Sequence, residues 1–134
     1  MTNWISANWD APNSIVAGIT TRSVINFSFP VTGKPCWINQ IHGNSVIKAN
    51  HYNKQPEADA CISENSKYFC VVRTADCLPV LFCSSDGNSY AAAHAGWRGL
   101  AGGILENVVE SFLVDTSKII VWLGPAISQL SFEV

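Results

Sequence analysis

The chain has 134 residues, enough for one compact domain spanning 1–134 and too few for two. Apolar residues make up 48% of it and charged residues 13%, which excludes disorder and requires a packed core. Ten acidic against eight basic side chains give a net charge of −2, leaving no basic excess for a phosphate backbone, so no nucleic-acid partner is expected.

The first residues mix Asn, Trp, Asp and Pro and build no apolar signal region, so the expected compartment is cytoplasmic. Short apolar runs broken by Gly, Pro, Asn and Asp follow. Residues 15–21, 35–41, 45–49, 58–63, 68–74, 79–83 and 89–93 read as strands. Phe69-Cys70-Val71-Val72 and Val80-Leu81-Phe82 are apolar at successive positions, which suits strands buried on both faces. Between the last two strands, Ser84-Ser85-Asp86-Gly87-Asn88 predicts a hairpin turn.

One helix is predicted over residues 98–113. Leu100, Ile104, Val108 and Phe112 recur every four residues, and Ala101, Leu105, Val109 and Leu113 form the adjoining row. Gly102-Gly103 inside it costs about 1 kcal/mol per glycine relative to alanine, so a neighbouring backbone or ligand is expected to come close there. Residues 118–123 read as a final strand ending at Gly124-Pro125. The longest charge-free stretch, residues 119–132, is shorter than the roughly 20 apolar residues of a bilayer helix, so no membrane span is expected. The class is mixed α/β and strand-rich.

Five cysteines, an odd number with no C-x-x-C pair, point to reduced thiols in place of a disulfide framework. Most fit small buried hydrophobes. So little charge on a small domain suggests that part of the surface is covered by a partner or a second copy of the chain.

Three segments carry chemistry: Gln40-Ile41-His42-Gly43, Thr74-Ala75-Asp76-Cys77-Leu78-Pro79 and His94-Ala95-Gly96-Trp97-Arg98-Gly99. Taken singly, His42 fits a loop histidine, Cys77 an inert core thiol, and His94 a backbone-bonded side chain. Taken together, each sits at a predicted strand end beside Gly or Pro, where a sheet presents side chains to a cleft. Two imidazoles and a thiolate suit zinc with an open fourth position, and the wide spacing matches a site assembled from separate strands. Arg98 and its flanking glycines suit phosphate or carboxylate at a helix start, or equally a surface arginine. Asp76 and Asp59 each fit two readings: orienting a ligand histidine, or capping a turn. No Walker loop, dinucleotide fingerprint or nucleophile-elbow serine is present.

In this order the segments resemble the YfiH-like laccase-domain family, whose members are also described as polyphenol oxidases, purine nucleoside phosphorylases or peptidoglycan editing factors. The matching strings run from Pro35-Cys36-Trp37 through Ala58-Asp59-Ala60, Ala75-Asp76-Cys77-Leu78-Pro79-Val80 and His94-Ala95-Gly96-Trp97-Arg98-Gly99 to Leu123-Gly124-Pro125-Ala126-Ile127. The resemblance implies an α/β (α+β) fold, with mixed sheets in a sandwich flanked by helices as in cysteine-hydrolase-like domains. It also implies that His42, Cys77 and His94 ligate zinc and carry catalysis. Arg98 and Asp76 would then face substrate or phosphate.

The implied reactions are phosphorolysis of adenosine, inosine, guanosine or methylthioadenosine, and deamination of adenosine. Copper-dependent phenol oxidation fits less well, because that chemistry needs many histidines and this chain has three. The chain departs from the family pattern in two places: only residues 23–34 fill a gap that is longer in relatives, and relatives continue past residue 134, as expected of either a naturally short member or a fragment. Two further readings therefore stand beside the zinc enzyme. One is a non-catalytic binding or dimerising module, the other a metal-free Cys77–His94 hydrolase acting on a cell-wall precursor.

Overall fold

The architecture comes from a computed structural model that describes residues 4–20 and 29–126. In chain order these form β1 (Trp4–Ser6), β2 (Gly18–Thr20), β3 (Lys34–Cys36), β4 (Val46–Lys48), β5 (Ala60–Ser63), β6 (Tyr68–Cys70), β7 (Leu78–Ser84), β8 (Tyr90–Ala95), α1 (Trp97–Ala101), α2 (Ile104–Ser111) and β9 (Ile119–Leu123). The fold is mixed α+β. A five-stranded sheet runs in the order β4-β5-β8-β7-β9, with β4 parallel to β5 and the other pairs antiparallel. Two small sheets, antiparallel β1-β2 and parallel β3-β6, complete it.

The core lies between the large sheet and α2. Strand alternation turns Val80 and Phe82, Ala91, Ala93 and Ala95, and Ala60 and Ile62 toward Ile104, Val108 and Phe112. Each fully buried Val, Ile or Phe contributes roughly 1.5–3 kcal/mol. The alanines of β8 are small, so α2 packs closely over β8 and its neighbours β5 and β4. Tyr90, Ala92 and His94 take the opposite face, and the Tyr90 hydroxyl donates to the Asn65 and Tyr68 carbonyls.

The hairpin turn stands where the sequence predicts it. Ser84 N–H donates to Ser89 O, Gly87 adopts a φ of 76°, and Asp86 Oδ1 accepts from the Ser84 hydroxyl and the Asn88 N–H. The predicted helix over 98–113 is instead two helices. Gly102 ends α1, and Gly103, at a φ of 88°, starts α2. Their freedom to break the helix outweighs the unbroken apolar period. At Gly102 the neighbour is a side chain and not a backbone, Asn44 Nδ2 donating to Gly102 O; the close backbone lies at Gly99, where a Cβ would stand 3.0 Å from Gly43 O.

Three expected strands shorten markedly, the run at 15–21 becoming strand only over Gly18–Thr20 among its described residues. The runs at 35–41 and 68–74 pair with each other only as β3 and β6, and Asn39 bridges instead to Glu57. Beyond them the Gln40 side-chain amide pairs with Arg73, donating to its carbonyl and accepting from its N–H, in place of backbone pairing. The β6 run is half-buried, not buried on both faces, because its sheet has only two strands. The run on β7 is largely buried, as expected. Strand β1 escaped the sequence reading, and residue 21 of the predicted 15–21 strand lies outside the described residues, as does Ile127. No helix among the described residues is long and apolar enough to cross a membrane.

Candidate metal centre

Sheet register builds two thirds of the site. Leu78 pairs with Ala95 and Pro79 with His94, so the next step along the β7–β8 hairpin sets Cys77 against Gly96. Cys77 precedes β7 and is half-buried, while His94 sits near the end of β8 and is buried. The third member, His42, comes from the loop between β3 and β4 and is exposed. His42, Cys77 and His94 each offer a ligand atom, and these atoms lie within 4.8 Å of one another. The two imidazole rings meet edge to face with centroids 4.8 Å apart.

Gly96 makes this convergence possible. A Cβ there would stand 3.1 Å from His42 Nδ1 and 3.2 Å from Cys77 Sγ, so any larger residue would push between the two. Its role went unnoticed in the sequence; the signal was its place directly opposite Cys77 in the hairpin register.

Behind the triad lies Asp59, which is fully buried. Its Oδ1 accepts the N–H groups of Ile41 and Gly43 at 3.0 and 2.9 Å. Its Oδ2 accepts the His42 N–H at 3.0 Å and meets His94 Nδ1 at 2.7 Å. Three successive N–H groups thus close on one carboxylate, and His42 adopts a φ of 60°, unusual for any residue but glycine. Burial alone would raise the Asp59 carboxyl, but the bonds from His94, Gly43 and Ile41 outweigh it and hold it below the ordinary carboxylate range. Asp59 thus caps the turn at residues 41–43 and at the same time meets His94, one of the candidate ligands.

Asp76, weighed for the same two roles, is exposed beside Cys77 in sequence, and the carboxylate that meets His94 is that of Asp59. Arg98 is also exposed, its guanidinium 5.0 Å from the centre of the Trp97 ring. The helix it begins has only five residues, too short for a strong helix-end field.

The other cysteines are packing thiols. Cys36, Cys61 and Cys83 are buried and Cys70 is half-buried; all five cysteines are free. Burial pushes the Cys36 thiol up to about 11. A hydrogen bond with Cys70, followed by burial, pushes Cys61 up as well.

The donor set defines the class: two imidazoles and one thiol, held by a sheet and a pinned loop, can bind a metal ion. Residues 6–134 match the family described as multi-copper polyphenol oxidoreductase laccase, and the chain belongs to that family, the YfiH-like group its motifs resemble. Purine nucleoside phosphorylase PA4543 of Pseudomonas aeruginosa is 38% identical, over all of this chain and 66% of its own length. Purine nucleoside phosphorylase YfiH of Escherichia coli is 49% identical over 75% of this chain and 42% of its own length. The crystal structure of Neisseria meningitidis protein NMB0706 superposes with a TM-score of 0.90 at 36% identity, covering 99% of this chain and 66% of that one. The chain thus spans less than two thirds of the length of these curated relatives.

Proposed function

We propose that the chain is the metal-bearing part of a zinc enzyme that processes purine nucleosides, with phosphorolysis as its first reaction and adenosine deamination as the alternative at the same site. The observation that carries this reading is the convergence of His42, Cys77 and His94 on one point. The names of the relatives supply the substrate class.

Zinc bound there would supply a Lewis acid with an open fourth position. The chain's own residues do the rest. His94 and Cys77 are held by the hairpin, and His42 is held by its pinned loop. Arg98, exposed against Trp97, would supply the cation for a phosphate or a carboxylate, and exposed Asp76 would offer a hydrogen-bond acceptor to a substrate amine or hydroxyl. Three histidines in the whole sequence argue against the several coppers of a phenol oxidase.

The test is turnover of adenosine, inosine, guanosine and methylthioadenosine by the zinc-loaded protein, with and without phosphate. Phosphate-dependent base release marks phosphorolysis, and ammonia release marks deamination. Both should vanish in Cys77→Ala. One zinc per chain without turnover of any nucleoside would overturn the reading in favour of a binding or dimerising module.

One geometric fact favours a second reading. Asp59, His94 and Cys77 also stand in the order a metal-free thiolate hydrolase uses, with a carboxylate orienting the base beside a nucleophile. Alkylation of Cys77 that zinc does not slow would select it.

A further inference from the structure

We infer that Asp59 is the positioning residue that assembles the metal centre before any metal arrives, setting both the tautomer of His94 and the backbone of His42. This inference rests on the reading of His42, Cys77 and His94 as metal ligands. It goes further by naming the residue that makes the ligands competent.

A carboxylate offers only acceptors, and all four donors around Asp59 are aimed at it: the N–H groups of Ile41, His42 and Gly43, and His94 Nδ1. Facing an acceptor at 2.7 Å, His94 Nδ1 carries the proton. In the neutral ring the other nitrogen, Nε2, then keeps its lone pair and is the atom able to bind a metal. On the other side the same carboxylate accepts the His42 N–H and compensates the unfavourable left-handed backbone there. Among the described residues, every buried side-chain N or O has a hydrogen-bond partner. The Asp59 carboxylate and His94 Nδ1 therefore satisfy each other within the protein.

The backbone reinforces the link. His94 N–H donates to Asp59 O at 2.7 Å, and Asp59 N–H donates to Ser45 O at 3.1 Å. Asp59 thus bridges the two ligand-bearing segments through its main chain as well as its carboxylate. An asparagine has one oxygen where the carboxylate has two. Whichever way its amide turns, either His94 or the Ile41–Gly43 loop loses its acceptor and meets a donor.

The experiment has two arms. In the first, nitrogen-15 NMR of the metal-free wild-type protein near pH 8 reads the His94 ring. A proton on Nδ1 is the expected result, and a bare Nδ1 overturns the proposal without reference to metal. In the second, zinc(II) is titrated into wild type and Asp59→Asn against a competing chelator, with circular dichroism and thermal melting of both.

Outer-shell carboxylates typically change metal affinity 10–100-fold, and a loss in that range with retained secondary structure is expected. Zinc affinity in Asp59→Asn within twofold of wild type overturns the proposal. If Asp59→Asn fails to fold, the NMR arm decides. If wild type binds no zinc, the metal reading fails instead, and the His94 ring still reports on Asp59.

Discussion

At Gly96, the space a methyl group would take is bounded by His42 Nδ1 and Cys77 Sγ. Its backbone is ordinary, with a φ of −79°, so the demand there is for room and not for conformational freedom. Gly96→Ala should therefore keep its fold and lose about tenfold or more in zinc affinity, measured by chelator competition. The cysteines divide in the same residue-by-residue way. Cys36, Cys61 and Cys83 should resist iodoacetamide in the native protein, whereas Cys77 should react and be protected by zinc, as mass spectrometry of peptides would show.

The Cys36 thiol also makes a pH prediction. In the folded chain it holds its proton to about 11, above its ordinary value of 9.0. An unfolded chain releases that proton first, so its contribution is intact below pH 9 and is lost as the pH rises toward 11. Cys36→Ala should flatten the fall in denaturation midpoint across that window.

At the scale of elements, the break between α1 and α2 decides how the helical arm meets the sheet. Gly103 adopts a φ of 88°, so Gly103→Ala should cost about 1–2 kcal/mol in urea unfolding. Ile104, fully buried at the start of α2, should cost about 2–5 kcal/mol when cut to alanine, because its contacts span α2 and the sheet. These elements also show what a sequence can reveal. The hairpin turn at residues 84–88 was legible because its residues dictate backbone angles locally. The α1–α2 break was not, because the apolar rows run unbroken through Gly102-Gly103 and period says nothing of a left-handed residue. Likewise the short ladders of β3 and β6 depend on Gln40 reaching Arg73, a partner 33 residues away. His42, Cys77 and His94 were legible as residue types at strand ends. The dominance of Asp59 over Asp76 was not, since both are acidic residues beside apolar runs and only pairing register separates them.

At the scale of the whole molecule, a metal at this centre would tie together three segments distant in sequence: the β3–β4 loop, the start of β7 and the end of β8. Ligand binding to the folded form alone should then raise global stability. Free zinc at a hundred times its dissociation constant should add about 2.7 kcal/mol, a rise in melting temperature of roughly 10 °C for a chain of this size. Differential scanning calorimetry with zinc and then with excess EDTA should show the rise and its reversal. In Cys77→Ala the two scans should coincide.

The three candidate ligands also differ in their access to solvent: His94 is buried, Cys77 half-buried and His42 exposed. Two of them ride on one hairpin whose register fixes their spacing, while the third arrives on a loop. Were a metal held there, such a gradient would impose an order on exchange. An incoming ion would meet His42 first and pass inward to Cys77 and His94, and a departing ion would let go of His42 last. Its residence time would then be governed from the loop side, where a competing small molecule would approach past His42.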